Sequence, residues 1–177
     1  DANSILASIV NAENLGIPAV WMTSGGVALD PIGVFIAAAT QTKNIKMGTS
    51  IITIWPRHPL SLIQQIRSLT DMAPGRFRLG IGPGHQAGIE NTYGISFGTP
   101  LGHLREYLYI TRTLLAKGEI DFHGNYYTAS AKLPMSLDVP VMASALRQAS
   151  FELCGEVADG AISWVCPGIY LKDVALP

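Results

Sequence analysis

The sequence is short of charge. Only 14% of its 177 residues are Asp, Glu, Lys or Arg, and 12 basic and 13 acidic residues give a formal net charge of −1. These residues are spread along the chain rather than clustered. Nucleic-acid binding leaves a basic patch, and membrane-surface segments carry runs of like charge. The sequence therefore argues against both kinds of partner.

Cysteine is scarce too. Cys154 and Cys166 lie in apolar stretches, and their spacing is neither that of a zinc site nor that of a disulfide framework. We interpret them as reduced thiols of a cytoplasmic protein. No cluster of histidines or carboxylates has metal-ligand spacing, so we predict no metal.

Long apolar runs are also missing. Runs such as residues 32–39 are too short to cross a bilayer, and no secretory signal peptide is expected. There is no G-x-S-x-G elbow, and "GIGPGH" lacks the spacing of a dinucleotide-binding fingerprint. We therefore expect no Rossmann-type NAD site.

Apolar residues are plentiful by contrast, at 48% of the chain. The length suffices for one domain with a real core. So apolar a composition fits an α/β protein whose parallel strands are covered on both faces. It also fits a chain that hides surface in an oligomer, or a piece of a larger domain.

Helical and strand-like patterns alternate along the chain, after a first helix that ends near Gly16. Strands are predicted over residues 18–22, 45–52, 76–82, 140–144 and 160–165, with helices over residues 32–42, 59–72, 100–117 and 147–157. Residues 82–98 are predicted as a glycine-rich loop, and residues 119–134 as a small excursion of two extended pieces. Such alternation predicts a parallel sheet, either doubly wound or part of a (β/α) barrel.

Three stretches carry a family resemblance. "DMAPGRFRLGIGPG", "FGTPLGHLREYLYITRTLLAKGEIDFHGNYY" and "ELCGEVADGAI" resemble the bacterial luciferase-like family of flavin- and deazaflavin-dependent oxidoreductases. The resemblance runs from about Leu15 to Trp164 and implies a (β/α)8 TIM barrel. The chain then forms a single partial barrel domain, residues 1–177, that supplies about strands two to six.

The third barrel strand ends in "GTSIIT", with small hydroxyl residues among β-branched ones. On the residues alone, this is an ordinary buried strand with a polar end. The resemblance implies instead a non-proline cis peptide bond at Ser50–Ile51, on which a flat cofactor ring rests. Thr53 is then placed to reach the polar edge of the ring.

The loop after the fourth strand reads "GPGH". Gly82 and Gly84 permit a tight turn over a ligand, so we expect both to contact the cofactor. His85 falls where some deazaflavin-dependent members carry a glutamate near the reacting carbon. The resemblance therefore implies a catalytic proton donor or acceptor, and the alternative is a loop histidine in water.

The fifth strand leads into a helix through "ASALRQ". Small side chains at Ala143 and Ala145 let backbone N–H groups at the helix N-terminus meet a phosphate or ring oxygen. The family often has glycines where this chain has Leu146 and Arg147. Arg147 can itself pair with an anionic part of the cofactor.

Two features bear on the substrate. Trp55 lies just past the third strand, where a tryptophan at the barrel rim is expected to contact substrate. In the sugar-phosphate dehydrogenases of the family an Asp-His pair follows the second strand, whereas this chain has Ser24 and Gly25. Neither that base nor that substrate is carried over.

The resemblance implies an oxidoreductase acting on a small organic molecule. Our first expectation is a luciferase-like monooxygenase that uses reduced FMN, supplied by a separate flavin reductase. The alternatives are hydride transfer with the deazaflavin coenzyme F420 and a non-catalytic flavin-binding homologue. A homodimer is expected because the family commonly dimerises through outer helices.

Overall fold

The computed structural model describes residues 1–175. The strands are β1 Ala19–Met22, β2 Lys46–Thr49, β3 Ile52–Thr53, β4 Phe77–Gly82, β5 Glu119–His123, β6 Thr128–Lys132, β7 Val141–Ala145 and β8 Gly160–Ser163. The helices are α1 Ala2–Asn14, α2 Pro31–Ala39, α3 Pro59–Met72, α4 Gln86–Tyr93, α5 Pro100–Lys117, α6 Gln148–Val157 and α7 Gly168–Tyr170, which continues as a π-helical turn over Leu171–Ala175.

The main sheet runs in the order β1-β2-β4-β7-β8, and β3 also pairs with β4. Every pair in it is parallel. The order of the strands in space follows their order in the chain, whereas a doubly wound sheet reverses direction at a switch point. The sheet is therefore a segment of a (β/α) barrel, as the resemblance implied.

Helices α2, α3 and α5 start at predictable places. Each has a proline in its first turn, and Asp30 caps α2 by accepting a hydrogen bond from Gly33 N at 3.0 Å. Their apolar faces pack on the strands in one core, whose largest fully buried side chains include Phe35, Leu62 and Tyr107. Within residues 1–175, no helix combines the length and apolar character needed to span a membrane.

The predicted strand over residues 45–52 is wrong in one respect, because it forms two strands rather than one. The Ser50–Ile51 peptide bond between β2 and β3 is cis, as expected from the resemblance. Thr49 is fully buried at the break, where its hydroxyl donates to Gly80 O at 2.9 Å and accepts from Gly80 N at 2.8 Å. A side chain thus replaces the strand partner that Gly80 lacks.

Two further segments test the predicted boundaries. Residues 82–98 are not a continuous loop, because α4 forms within them and ends at Gly94 in the left-handed conformation. Only Ile89 of this helix is buried, so its sequence carries no apolar stripe. The predicted excursion is an antiparallel hairpin of β5 and β6.

Candidate active site

Two cavities open at the carboxyl ends of the main-sheet strands, the edge where (β/α) barrels bind their ligands. The first has a volume of about 540 Å³ and the second about 350 Å³. Four residues line both cavities: Ile51, Gly84, His85 and Trp164. A larger cavity of about 730 Å³ lies where β7 and β8 begin, and it contains none of the predicted site residues.

The backbone around the cis bond is firmly held. Ser50 N donates to Met22 O at 2.8 Å and Ile54 N donates to Gly82 O at 3.1 Å, so the bulge is tied to both neighbouring strands. Ser50 and Thr53 line the second cavity, and Ile51 lines both. The predicted contact segment thus lies between the two cavities.

The glycines of "GPGH" occupy places where a side chain does not fit. A Cβ atom on Gly82 would lie 2.0 Å from Ser144 Oγ. Gly84 has φ +69°, and a Cβ atom there would lie 3.0 Å from Thr53 Cγ2. Of the two, Gly84 lines the cavities, while Gly82 brings β4 close to β7 behind them.

His85 is the imidazole at the junction of the cavities. It precedes α4 without capping it, and its ring lies 5.9 Å from that of Trp164 in an edge-on arrangement. The side chain is exposed and makes no hydrogen bond within residues 1–175. Its ring nitrogens are therefore accessible to a molecule in either cavity.

Helix α6 begins at the wall of the first cavity. Within residues 1–175, Arg147 is the only Asp, Glu, Lys or Arg side chain that lines this cavity, and Ala145 lines it as well. Ser150 Oγ accepts hydrogen bonds from Leu146 N at 2.9 Å and Arg147 N at 3.0 Å, which fixes the turn into the helix.

Sequence reasoning missed Ser144 and placed its neighbour Ala143 in the site. Along β7, Ala143 points into the core with no exposed surface, whereas Ser144 lines the first cavity. Ser144 and Ala145, the last two residues of β7, both line this cavity, so closeness to the carboxyl end of the strand was the available signal. Trp164, just past β8, was also missed.

Trp55 lines neither cavity. Its Nε1 donates to Pro83 O at 2.7 Å, and its ring packs on Phe97 at 5.2 Å and on His103 at 4.6 Å between centroids. Trp55 therefore supports, from outside the cavities, the loop that carries His85. The side chain reaches the site through Pro83 and through Phe97, which lines the first cavity.

The clearly shifted pKa values belong to groups outside the two cavities. Burial lowers the pKa of His103 and raises the pKa of Tyr127 to about 12. Burial also raises the pKa of Cys154 to about 11. Within residues 1–175, no three His, Cys, Asp or Glu side chains are grouped in a way that could hold a metal ion.

The family model of luciferase-like monooxygenases matches residues 1–174. The chain belongs to this family. A curated relative, 5,10-methylenetetrahydromethanopterin reductase of Methanolobus tindarius, is 32% identical over 153 residues, which are 85% of this chain and 47% of the relative. The chain thus spans about half the length of the curated relatives it matches.

Solved structures of the luciferase-like family share the fold. The coenzyme F420-dependent tetrahydromethanopterin reductase of Methanopyrus kandleri matches with a TM-score of 0.82 at 25% identity, over 92% of this chain and 52% of that one. The oxygenating constituent of 3,6-diketocamphane monooxygenase from Pseudomonas putida, in complex with FMN, matches with a TM-score of 0.77 at 23% identity, over 92% and 51%.

Proposed function

We propose that the protein is an oxidoreductase with a flavin-type cofactor, and that coenzyme F420 is the first candidate for that cofactor. One observation carries the proposal: the two cavities meet at Ile51, Gly84, His85 and Trp164. A flat ring at this junction has a hydrophobic side chain, a bare backbone, an imidazole and an indole around it.

The residues present fit such a group. The first cavity, at about 540 Å³, lies within the range of roughly 300–1,000 Å³ typical of cofactor sites. Both F420 and FMN carry a phosphate, and Arg147 supplies the one positive charge on the wall of that cavity. In this proposal the residues of the junction would hold the ring, and Arg147 would pair with the anionic tail.

When bound, F420 supplies hydride transfer to or from a substrate carbon, and the chain supplies the accompanying proton. His85 is the residue we assign to hold that proton, because it lines both cavities and its side chain makes no hydrogen bond in the part of the chain that the structure describes. The hydroxyl groups of Ser50 and Thr53 are available to orient the polar edge of the ring or the substrate.

Relatives favour F420, since the Methanopyrus enzyme that matches at 25% identity depends on this coenzyme. Reduced FMN is the second candidate, favoured by the Pseudomonas monooxygenase and by the family description. With FMN, the protein would oxygenate a small organic substrate and would need a separate flavin reductase as partner. We also propose that the protein is a cytoplasmic homodimer, because members of the family commonly dimerise through outer helices.

Titration of the protein with F420 and with FMN, followed by absorbance and fluorescence, tests the cofactor. We expect saturable binding of one of them at micromolar concentration. The variant His85→Gln should retain that binding and lose turnover, whereas His123→Gln, on the exposed hairpin, should lose neither. If neither cofactor binds, the oxidoreductase proposal is refuted. The alternative of a non-catalytic flavin-binding homologue is then refuted as well.

A further inference from the structure

The second cavity lacks the side chains that are permanently charged at neutral pH. None of the described residues that line it is Asp, Glu, Lys or Arg. Its polar side chains are the imidazole of His85 and the hydroxyls of Thr23, Ser24, Ser50, Thr53, Thr92 and Tyr93. Ile51, Ile89 and Trp164 supply apolar surface. The two cavities therefore differ in charge, because Arg147 lines only the first.

Charged side chains near this cavity are engaged elsewhere. Asp30, at the end of the loop that forms one wall, is paired with Arg57 at 2.8 Å. Glu90, on α4 opposite, accepts hydrogen bonds from Gln86 Nε2 at 3.2 Å and from Phe97 N at 3.1 Å. Neither carboxylate is available to a ligand without breaking an existing contact.

This cavity is therefore a poor binding site for an anionic ligand. A phosphate or carboxylate that leaves water without a lysine or arginine partner loses solvation that hydroxyl groups and a single imidazole replace only in part. A carbonyl or alcohol oxygen needs one or two hydrogen bonds, and hydroxyl groups and His85 provide them. The lining therefore selects against anionic ligands, because no lysine or arginine among the described residues lines this cavity.

We infer that the molecule bound beside His85 in the second cavity is small and uncharged, a ketone or the corresponding alcohol, and that phosphorylated and carboxylated compounds are excluded. This inference rests on the proposed function for the identity of the first cavity as the cofactor site. Ser24 is a suitable position for testing the exclusion, because its half-buried side chain lines the cavity and makes no hydrogen bond within the described residues.

The test uses cyclohexanone and 4-oxocyclohexanecarboxylate, which share a ring and a ketone and differ by one carboxylate. Binding is followed by NMR through the imidazole signals of His85, assigned by their loss in His85→Gln, with and without saturating F420. We expect cyclohexanone to shift these signals and the acid to bind about tenfold or more weakly. In Ser24→Lys the affinity for the acid should rise about tenfold or more relative to that for cyclohexanone.

Thr92→Lys on α4 places an ammonium at the same cavity and serves if Ser24→Lys does not fold. Equal affinity of the wild-type protein for the two probes would overturn the inference, as would cyclohexanone that leaves the His85 signals unmoved. Failure of F420 and FMN to bind, with probe selectivity intact, would instead refute the cofactor assignment alone.

Discussion

The exchange Thr49→Val removes the two side-chain hydrogen bonds that bridge the interruption between β2 and β3. Pairing of β2 with β4 ends at Gly48 and Arg78, and pairing of β3 with β4 resumes at Ile52 and Ile81. Between them, the N–H and C=O groups of Gly80 depend on the Thr49 hydroxyl, at 2.8 and 2.9 Å.

The loss of stability can be estimated from the N–H and C=O groups of Gly80, which the exchange leaves without a partner. An unsatisfied buried polar group costs about 1–3 kcal/mol, and the added methyl group of valine returns up to about 1 kcal/mol. With two such groups, we expect the free energy of unfolding to fall by about 1–5 kcal/mol. Urea unfolding followed by circular dichroism measures it.

Thr111→Val is the matched control. Thr111 is also fully buried, but its hydroxyl only donates to Tyr107 O, at 2.7 Å, and that carbonyl keeps its helical partner. This variant should lose at most about 1 kcal/mol. If Thr49→Val costs no more than Thr111→Val, then the hydroxyl does not hold the interrupted strand in place.

Three further predictions concern the support of the site and the thiols. Glu106→Gln weakens three backbone hydrogen bonds to the hairpin loop and should speed hydrogen exchange at residues 125–127, whereas Glu119→Gln, in an exposed pair with Lys132, should not. Burial lowers the pKa of His103, so folding favours its neutral form and stability should fall as the pH drops below about 6.5; urea titrations should show a weaker loss in His103→Phe, and an equal loss would contradict this. Because burial raises the pKa of Cys154 to about 11, a thiol reagent at pH 8 should label Cys166 first and Cys154 only on unfolding; equal rates in the folded protein would refute this.

Much of the fold could be predicted because periodicity and caps report it directly. Prolines and Asp30 mark the helix starts, and "GRFRLGIG" shows the buried strand β4. Local pattern could not choose between a doubly wound sheet and a barrel, since both alternate helix and strand. The family resemblance supplied that choice, and the strand order confirms it.

The site was harder to predict, because a cavity wall depends on direction as much as on position. Trp55 follows the right strand, yet its ring packs on Phe97 and His103 and lines neither cavity. Ala143 and Ser144 are adjacent, yet only Ser144, which is nearer the carboxyl end of β7, lines the first cavity. Helix α4 was not predicted because Ile89 is its one buried residue, so the segment shows no apolar periodicity.

Binding of F420 to a variant with a filled cavity tests the central claim most directly. Leu146 lines the first cavity and is 53% exposed, so Leu146→Trp adds bulk there without disturbing the core. Met135→Trp, at a position 69% exposed and outside the cavity, is the control. We predict that F420 fluorescence titrations show a dissociation constant raised about tenfold or more by Leu146→Trp and unchanged by Met135→Trp. Wild-type affinity in Leu146→Trp would contradict the assignment of this cavity to the cofactor.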